Sequence, residues 1–147
     1  MSGTQVTSGV ARDANELRLS VMRLVRRLRA ERPASGLSLT RVNVLGRLDR
    51  EGPATMSDLA AAEGITPQSM ARTVGELVDA GLLTRRADPD DGRRQLLDVT
   101  PAARRLLAED RSRRDSWLAV ALTERLSAEE RAMLRIAGRL LDRLAEG

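Results

Sequence analysis

Apolar residues return along this chain at two spacings, first that of helices and then that of strands. Leu17, Val21, Leu24, Val25 and Leu28 recur every three or four positions, which predicts a helix from Asp13 to about Arg32. The segment ERPASG, residues 31–36, interrupts it, because Pro and Gly among small residues mark a connection. Residues 1–10, small and polar, are expected to be disordered. A second helix, LTRVNVLGRLDREG, turns Val44, Leu45 and Leu48 inward, with Thr40 as its expected N-cap. MSDLAAAEG predicts a short third helix capped by Ser57. Thr66-Pro67 opens a fourth, a hydroxyl cap followed by proline at the first helical position. That helix carries Met70, Val74, Leu77 and Val78 inward and ends at Ala80-Gly81. Only EGIT separates the third helix from the fourth, the short glycine-containing turn of a helix-turn-helix.

The period then shortens. LLTRRA and QLLDVT read as two strands around an acidic turn, together a hairpin with a long tip. Thr100-Pro101 caps a long helix, AARRLLAEDRSRRDSWLAVALTERL. SAEE is a capping box of Ser127 with Glu130 and opens a last helix to about Leu144. On that helix Met133, Leu134, Ile136, Ala137, Leu140, Leu141 and Leu144 form a wide apolar stripe. The expected class is mainly α with one small β-hairpin.

The 147 residues suit one domain or two small lobes, and 41% hydrophobic with 31% charged residues is a foldable composition. No apolar run is long enough to span a bilayer, and MSGTQVTSGVARDANEL lacks the basic-then-apolar order of a signal peptide, so a cytoplasmic location and no membrane partner are expected. The absences narrow function further. There is no Cys, His, Tyr, Phe or Lys, and all 25 basic residues are Arg. Thiol redox sensing, His or Cys metal sites, Ser-His-Asp and Cys-His catalysis, and phosphate loops ending in Lys all need residues this chain lacks. Neither an enzyme nor a bound cofactor or metal is expected. The net charge of +4 is unevenly spread: residues 1–50 hold ten Arg against four acids, residues 51–81 one Arg against five. A basic chain points to an anionic partner such as nucleic acid. Arg-for-Lys usage with solvated helix faces is the plainer account of any single arginine.

A helix-turn-helix followed at once by a two-stranded hairpin is the winged-helix arrangement. On L39-T-R-V-N-V-L-G-R-L48, S57-D-L-A, T66-P-Q-S-M-A-R-T-V-G-E-L-V-D-A-G-L-L-T-R85 and D88-P-D-D-G-R-R-Q-L-L-D-V-T100, the chain resembles MarR-type transcriptional regulators over about residues 13–145. Asn43, where a Gln is more usual, and Ala103, where Gly is more usual, depart from that pattern. The resemblance implies a winged helix-turn-helix lobe over 37–100 and a helical dimerisation lobe from 11–36 and 101–147. It implies a homodimer on double-stranded DNA carrying a palindromic operator, repression, and release by a small-molecule effector. It also implies that the wing tip enters the minor groove beside a major-groove helix.

Particular residues can then be weighed. The first turns of a recognition helix face the groove, so Thr66, Gln68, Ser69, Arg72 and Thr73 are the expected DNA contacts there. Gln suits adenine and Arg suits guanine in bidentate fashion. The hydroxyl of Thr66 is equally needed as a cap. At the wing, Arg93 and Arg94 are the expected contacts, because negative potential is enhanced in a narrow minor groove. Asp91 is expected to organise the wing, by holding either the Arg93 guanidinium or the turn. An ordinary Asp/Gly turn with solvated charges is the competing account. Glu63, Glu76 and Asp79 would repel phosphate and are expected on the far side of the lobe. Trp117 and the five Met suit packing better than a ligand site, and Arg26, Arg27 and Arg29 suit a solvated face. Two other functions compete: a winged-helix module that binds protein, and a Mg²⁺ enzyme built on Asp88, Asp90 and Asp91.

Overall fold

Every helix in the described chain, residues 6–31 and 36–146 of this computed structural model, begins behind a serine or threonine. In each case the hydroxyl oxygen accepts a backbone N–H three residues on, one of the donors a helix start leaves unpaired. Thr7 precedes α1 (Ser8–Ala30), Ser38 precedes α2 (Leu39–Glu51) and Thr55 precedes α3 (Met56–Glu63). Thr66 precedes α4 (Pro67–Asp79), Thr100 precedes α5 (Pro101–Arg125) and Ser127 precedes α6 (Ala128–Ala145). Between α4 and α5 lie β1 (Leu83–Ala87) and β2 (Gln95–Val99), paired antiparallel with Leu83 opposite Val99 and Ala87 opposite Gln95.

Three helix starts differ from expectation. α2 is capped by Ser38 and not Thr40, and α3 by Thr55 and not Ser57. In both places two hydroxyl residues stand two apart, and the earlier one takes the cap. At α3 this puts Asp58 in the first turn, where its charge suits the positive end of the helix. α1 starts at Ser8, so the disorder expected for residues 1–10 does not hold from Ser8 onward. Residues 1–5 lie outside those described, as does most of the expected break at ERPASG.

The chain divides into two compact units. One contains α2, α3, α4, the hairpin and α5 as far as Ser112; the other contains α1 and the chain from Arg113 on. The first holds the core: Val44, Leu45 and Leu48 of α2, Leu59 of α3, Met70, Val74 and Leu77 of α4, Leu97 and Val99 of β2, and Ala103 and Leu107 of α5. Ala103 is fully buried, so this packing accommodates its methyl group. Two turns set the angles. At Gly64 the backbone takes the left-handed conformation, φ 64°, and Ile65 N–H returns to the Ala60 carbonyl at 3.1 Å. Gly81 does the same at φ 73°, with Leu82 N–H on the Leu77 carbonyl at 2.9 Å. Both are helix ends that favour glycine because a Cβ there would be strained.

A further strand contact had no signal in the residue pattern. Ala54 pairs with Leu97 in both directions, at 3.2 and 2.8 Å, laying the segment before α3 beside β2. Thr100 then ties the hairpin's end to α4: its hydroxyl donates to the Gly81 carbonyl at 2.7 Å while accepting from Ala103 N–H at 3.2 Å.

In the second unit neither α1 nor α6 buries a residue within the single chain. Met133, Leu134, Ile136, Leu140 and Leu144 are exposed on α6, as are Leu17 and Leu24 on α1. Val21, Val25 and Leu28 are half-buried. Arg27 lies over the Trp117 ring, 4.4 Å from its centroid, and pairs with Glu31 at 2.7 Å. No helix among the described residues is long and apolar enough to cross a membrane.

Leu97 joins the core and the strand bridge at one point, which makes it the sharpest test of the packing. Leu97→Ala should lower stability by about 2–5 kcal/mol. A urea denaturation midpoint unchanged from the parent would contradict this assignment.

Candidate nucleic-acid interface

α4 is the element that could read a groove, and its burial decides which side does so. Met70 and Val74 are wholly buried and Leu77 nearly so, which turns Gln68, Ser69, Ala71 and Arg72 outward. Thr73 is half-buried at the margin. Thr66 is engaged as the cap: its oxygen accepts Ser69 N–H at 3.2 Å, and its hydroxyl donates to Ser69 Oγ at 3.0 Å. The Arg72 side chain is 84% exposed.

The charge arrangement around Arg72 corrects one expectation. Glu76 does not sit on the far side; it lies one turn along the same face and lines a shallow cleft with Ser69, Arg72 and Thr73. It is tolerated there because two guanidiniums match it. Arg72 Nε stands 3.4 Å from one carboxylate oxygen, and Arg41 of α2 hydrogen-bonds the other. The Arg41 hydrogen bond is the main reason the Glu76 carboxyl titrates below its ordinary value, with Arg72 adding to it and partial burial opposing. Glu63 is bound to Arg47 Nε of α2 at 3.0 Å. Arg47 also meets Glu51 at 3.0 Å, and these two acids hold its guanidinium above its ordinary value, Glu63 most.

The wing is built from short-range hydrogen bonds. Asp88 Oδ1 accepts Asp90 N–H at 2.9 Å, and Asp91 Oδ1 accepts Arg93 N–H at 3.0 Å. Arg94 N–H meets the Asp91 carbonyl and Asp88 N–H meets the Arg94 carbonyl, both at 2.9 Å, closing the tip. Of the two roles posed for Asp91, its carboxylate thus bonds the backbone of the turn, at Arg93 N–H, and not the Arg93 guanidinium. Arg93 has no side-chain partner among the described residues and stands exposed at the tip. Arg94 is differently placed, 3.9 Å from Asp58 of α3 and 4.0 Å from Asp88. The carboxylates of Asp88 and Asp91 are spent on this turn, to which Asp90 gives its backbone N–H, and among the described residues no acid cluster is arranged to hold a metal ion.

The structure thus brings Gln68, Ser69, Arg72 and Thr73 onto one face, with Thr66 at its start, and sets Arg93 and Arg94 at the tip of the hairpin. Sequence reasoning missed Arg41 and Asp58. Arg41 meets Glu76 across 35 positions of chain, and no local pattern pairs residues so far apart.

A family model described as the MarR family matches residues 35–94. An uncharacterized HTH-type transcriptional regulator of Mycobacterium bovis is 40% identical over 131 residues, 89% of this chain and 91% of that protein. Among solved structures, a candidate transcriptional regulator from Pseudomonas aeruginosa superposes with a TM-score of 0.82 at 38% identity, covering 97% of this chain and 99% of that one. A mutant MepR of S. aureus bound to an oligodeoxyribonucleotide shares the fold, with a TM-score of 0.65 at 19% identity over 97% of this chain and 99% of that one.

The Glu76 cluster generates a pH prediction. A carboxyl whose folded value is depressed stabilises the fold above its unfolded value, and that contribution is lost as pH falls through the folded one. The wild-type chain should therefore exceed Glu76→Gln in stability at neutral pH, and the gap should close below the ordinary value of 4.5. Urea midpoints taken across that range would contradict this if the gap stayed constant.

Proposed function

This chain belongs to the MarR family of HTH-type transcriptional regulators, and on that premise we propose that it binds a palindromic operator in duplex DNA as a homodimer. One observation carries the reading: the outward stripe of α4 and the unpartnered Arg93 at the wing tip belong to one compact unit. A helix can lie in the major groove while an adjacent arginine occupies the minor groove. Gln68 and Arg72 read base edges, Ser69 and Thr73 flank them, Thr66 caps the helix, and Arg93 and Arg94 meet the minor groove and its phosphates. The exposed apolar stripes of α1 and α6 are the surface a second copy covers, since large contiguous apolar patches are rare on free monomers. The oligonucleotide complex of MepR supports the reading through the shared fold. Repression, and release by a small-molecule effector, are carried over from the family.

The experiment is selection from a random duplex pool followed by a salt titration of the chosen site. The two half-sites should lie about 10 base pairs apart, one helical turn. A protein-binding winged helix would instead enrich no sequence and show weak binding that salt hardly alters.

Gln68→Ala or Arg72→Ala should each cost about 1–3 kcal/mol and relax preference at one position per half-site. Selected sites identical to those of the parent would reduce both residues to phosphate contacts or bystanders.

For the wing, Arg93→Ala should weaken binding to many sequences together, most where A·T-rich flanks narrow the groove. With two subunits, the slope of log affinity against log salt should flatten by about 2. Arg94→Ala should act more weakly, because its guanidinium is shared with Asp58 and Asp88. Asp91→Ala should lower affinity, since it removes the carboxylate that shapes the turn under Arg93. An unchanged salt slope for Arg93→Ala, with the fold intact, would return the hairpin to an ordinary turn.

A further inference from the structure

Glu76 is the anomaly of the α4 surface: an acid beside the residues that would approach DNA. Its side chain is 38% exposed, and both carboxylate oxygens are occupied, one by Arg41 Nη2 and the other by Arg72 Nε. With both oxygens engaged it is poorly placed to accept from a cytosine amino group itself. Its effect on Arg72 is more specific. A guanidinium presents five N–H donors in a flat fork, and the Nε edge of this one is turned toward Glu76. That leaves the two terminal amino groups on the outward end, the geometry that meets guanine O6 and N7 together. An arginine free on a helix surface is otherwise drawn to the nearest phosphate, because backbone charge dominates affinity. A carboxylate one turn away repels that phosphate and keeps the arginine off it.

We propose that Glu76 is a positioning residue for base recognition, holding Arg72 so that it reads guanine instead of pairing with the DNA backbone. This rests on the DNA-reading function above and adds to it the base class and the residue that sets it. Arg41 supplies the second half of the clamp, anchoring the carboxylate from α2 at a side-chain exposure of 33%. The interactions are surface ion pairs, so their direct worth to stability is small and their effect on geometry is the measurable one.

The test is selection from a random duplex pool for the full chain and for Arg72→Ala, Glu76→Gln, Glu76→Asp and Arg41→Ala, with thermal unfolding of each. The wild type should prefer guanine by roughly tenfold or more at one position per half-site, and Arg72→Ala should lose that preference. Glu76→Gln should lose it at the same position and keep every other. Its salt slope should steepen by about 2 in the dimer as two released arginines take phosphates. Glu76→Asp keeps the charge but withdraws the carboxylate from an Arg72 contact already at 3.4 Å, so it should lose the same preference even if Glu76→Gln does not fold. Arg41→Ala frees one carboxylate oxygen, so it should weaken the same preference, less than Glu76→Gln does.

Glu76 variants with unaltered preference would overturn the proposal. So would an Arg72→Ala pool like the wild type's, or an Arg41→Ala pool altered at positions other than the one Arg72 reads, which would assign the effect to α2 packing. A wild-type pool with no enriched sequence would instead overturn the DNA-reading function, and this proposal with it.

Discussion

The outward face of α4, the candidate reading surface, depends on the complete burial of the opposite stripe. Met70, Val74 and Leu77 fall on the inward side at helical spacing and have almost no contact with solvent. Each contributes about 1.5–3 kcal/mol relative to an exposed position, so any rotation of the helix about its axis is opposed by several kcal/mol. That fixes the opposite face as Gln68, Ser69 and Arg72 without any of these residues having to hold itself in place. The Gly64 turn sets the entry to the helix and the Gly81 turn its exit. Proline at the first helical position costs nothing there, because the N–H it lacks would be unpaired.

The wing inherits its position from the same core by a different route. Leu97 and Val99 pack into it, Ala54 pairs with Leu97 as an added strand contact, and Thr100 closes on Gly81 at the end of α4. The hairpin base is thus tied to both ends of the helix-turn-helix: Ala54 lies just before α3 and Gly81 just after α4. Beyond Ala87 no apolar residue holds the tip, and local hydrogen bonds from Asp88 and Asp91 take over. These satisfy backbone donors in a segment with no ladder partners, which is what lets the arginine side chain be left outward.

Most of the architecture was legible because it is written locally. Helical spacing marked α1, α2, α4 and α6, hydroxyl caps pointed to α3 and α5, Thr66-Pro67 marked the start of α4, SAEE the start of α6, and the change of period the hairpin. Boundaries failed where two hydroxyls competed two positions apart, at Ser38 with Thr40 and at Thr55 with Ser57. The choice between them depends on how the helix lands in the core, which the cap alone does not encode. The exposure of the candidate residues was legible on the outward face of α4 and at the wing tip, where position within one element decides it. It was not legible at Glu76, which charge alone sends to the far side. Its true place depends on Arg41, brought from a distant part of the chain by the packing of α2.

That misplacement clarifies how an arginine-only protein divides its charges. Several arginines are held by acids within the first unit: Arg47 by Glu51 and Glu63, Arg104 and Arg111 by Asp49. Held this way, a guanidinium joins two helices and carries little free charge toward a partner. Arg93 has no such acid among the described residues, and the carboxylate nearest in sequence, Asp91, is turned onto its backbone N–H instead of its side chain. Arg72 is intermediate, restrained along one edge and open at the other. A net charge of +4 could not single out which arginines face DNA. The distribution of acids narrows the choice, by deciding which guanidiniums are held before any partner arrives.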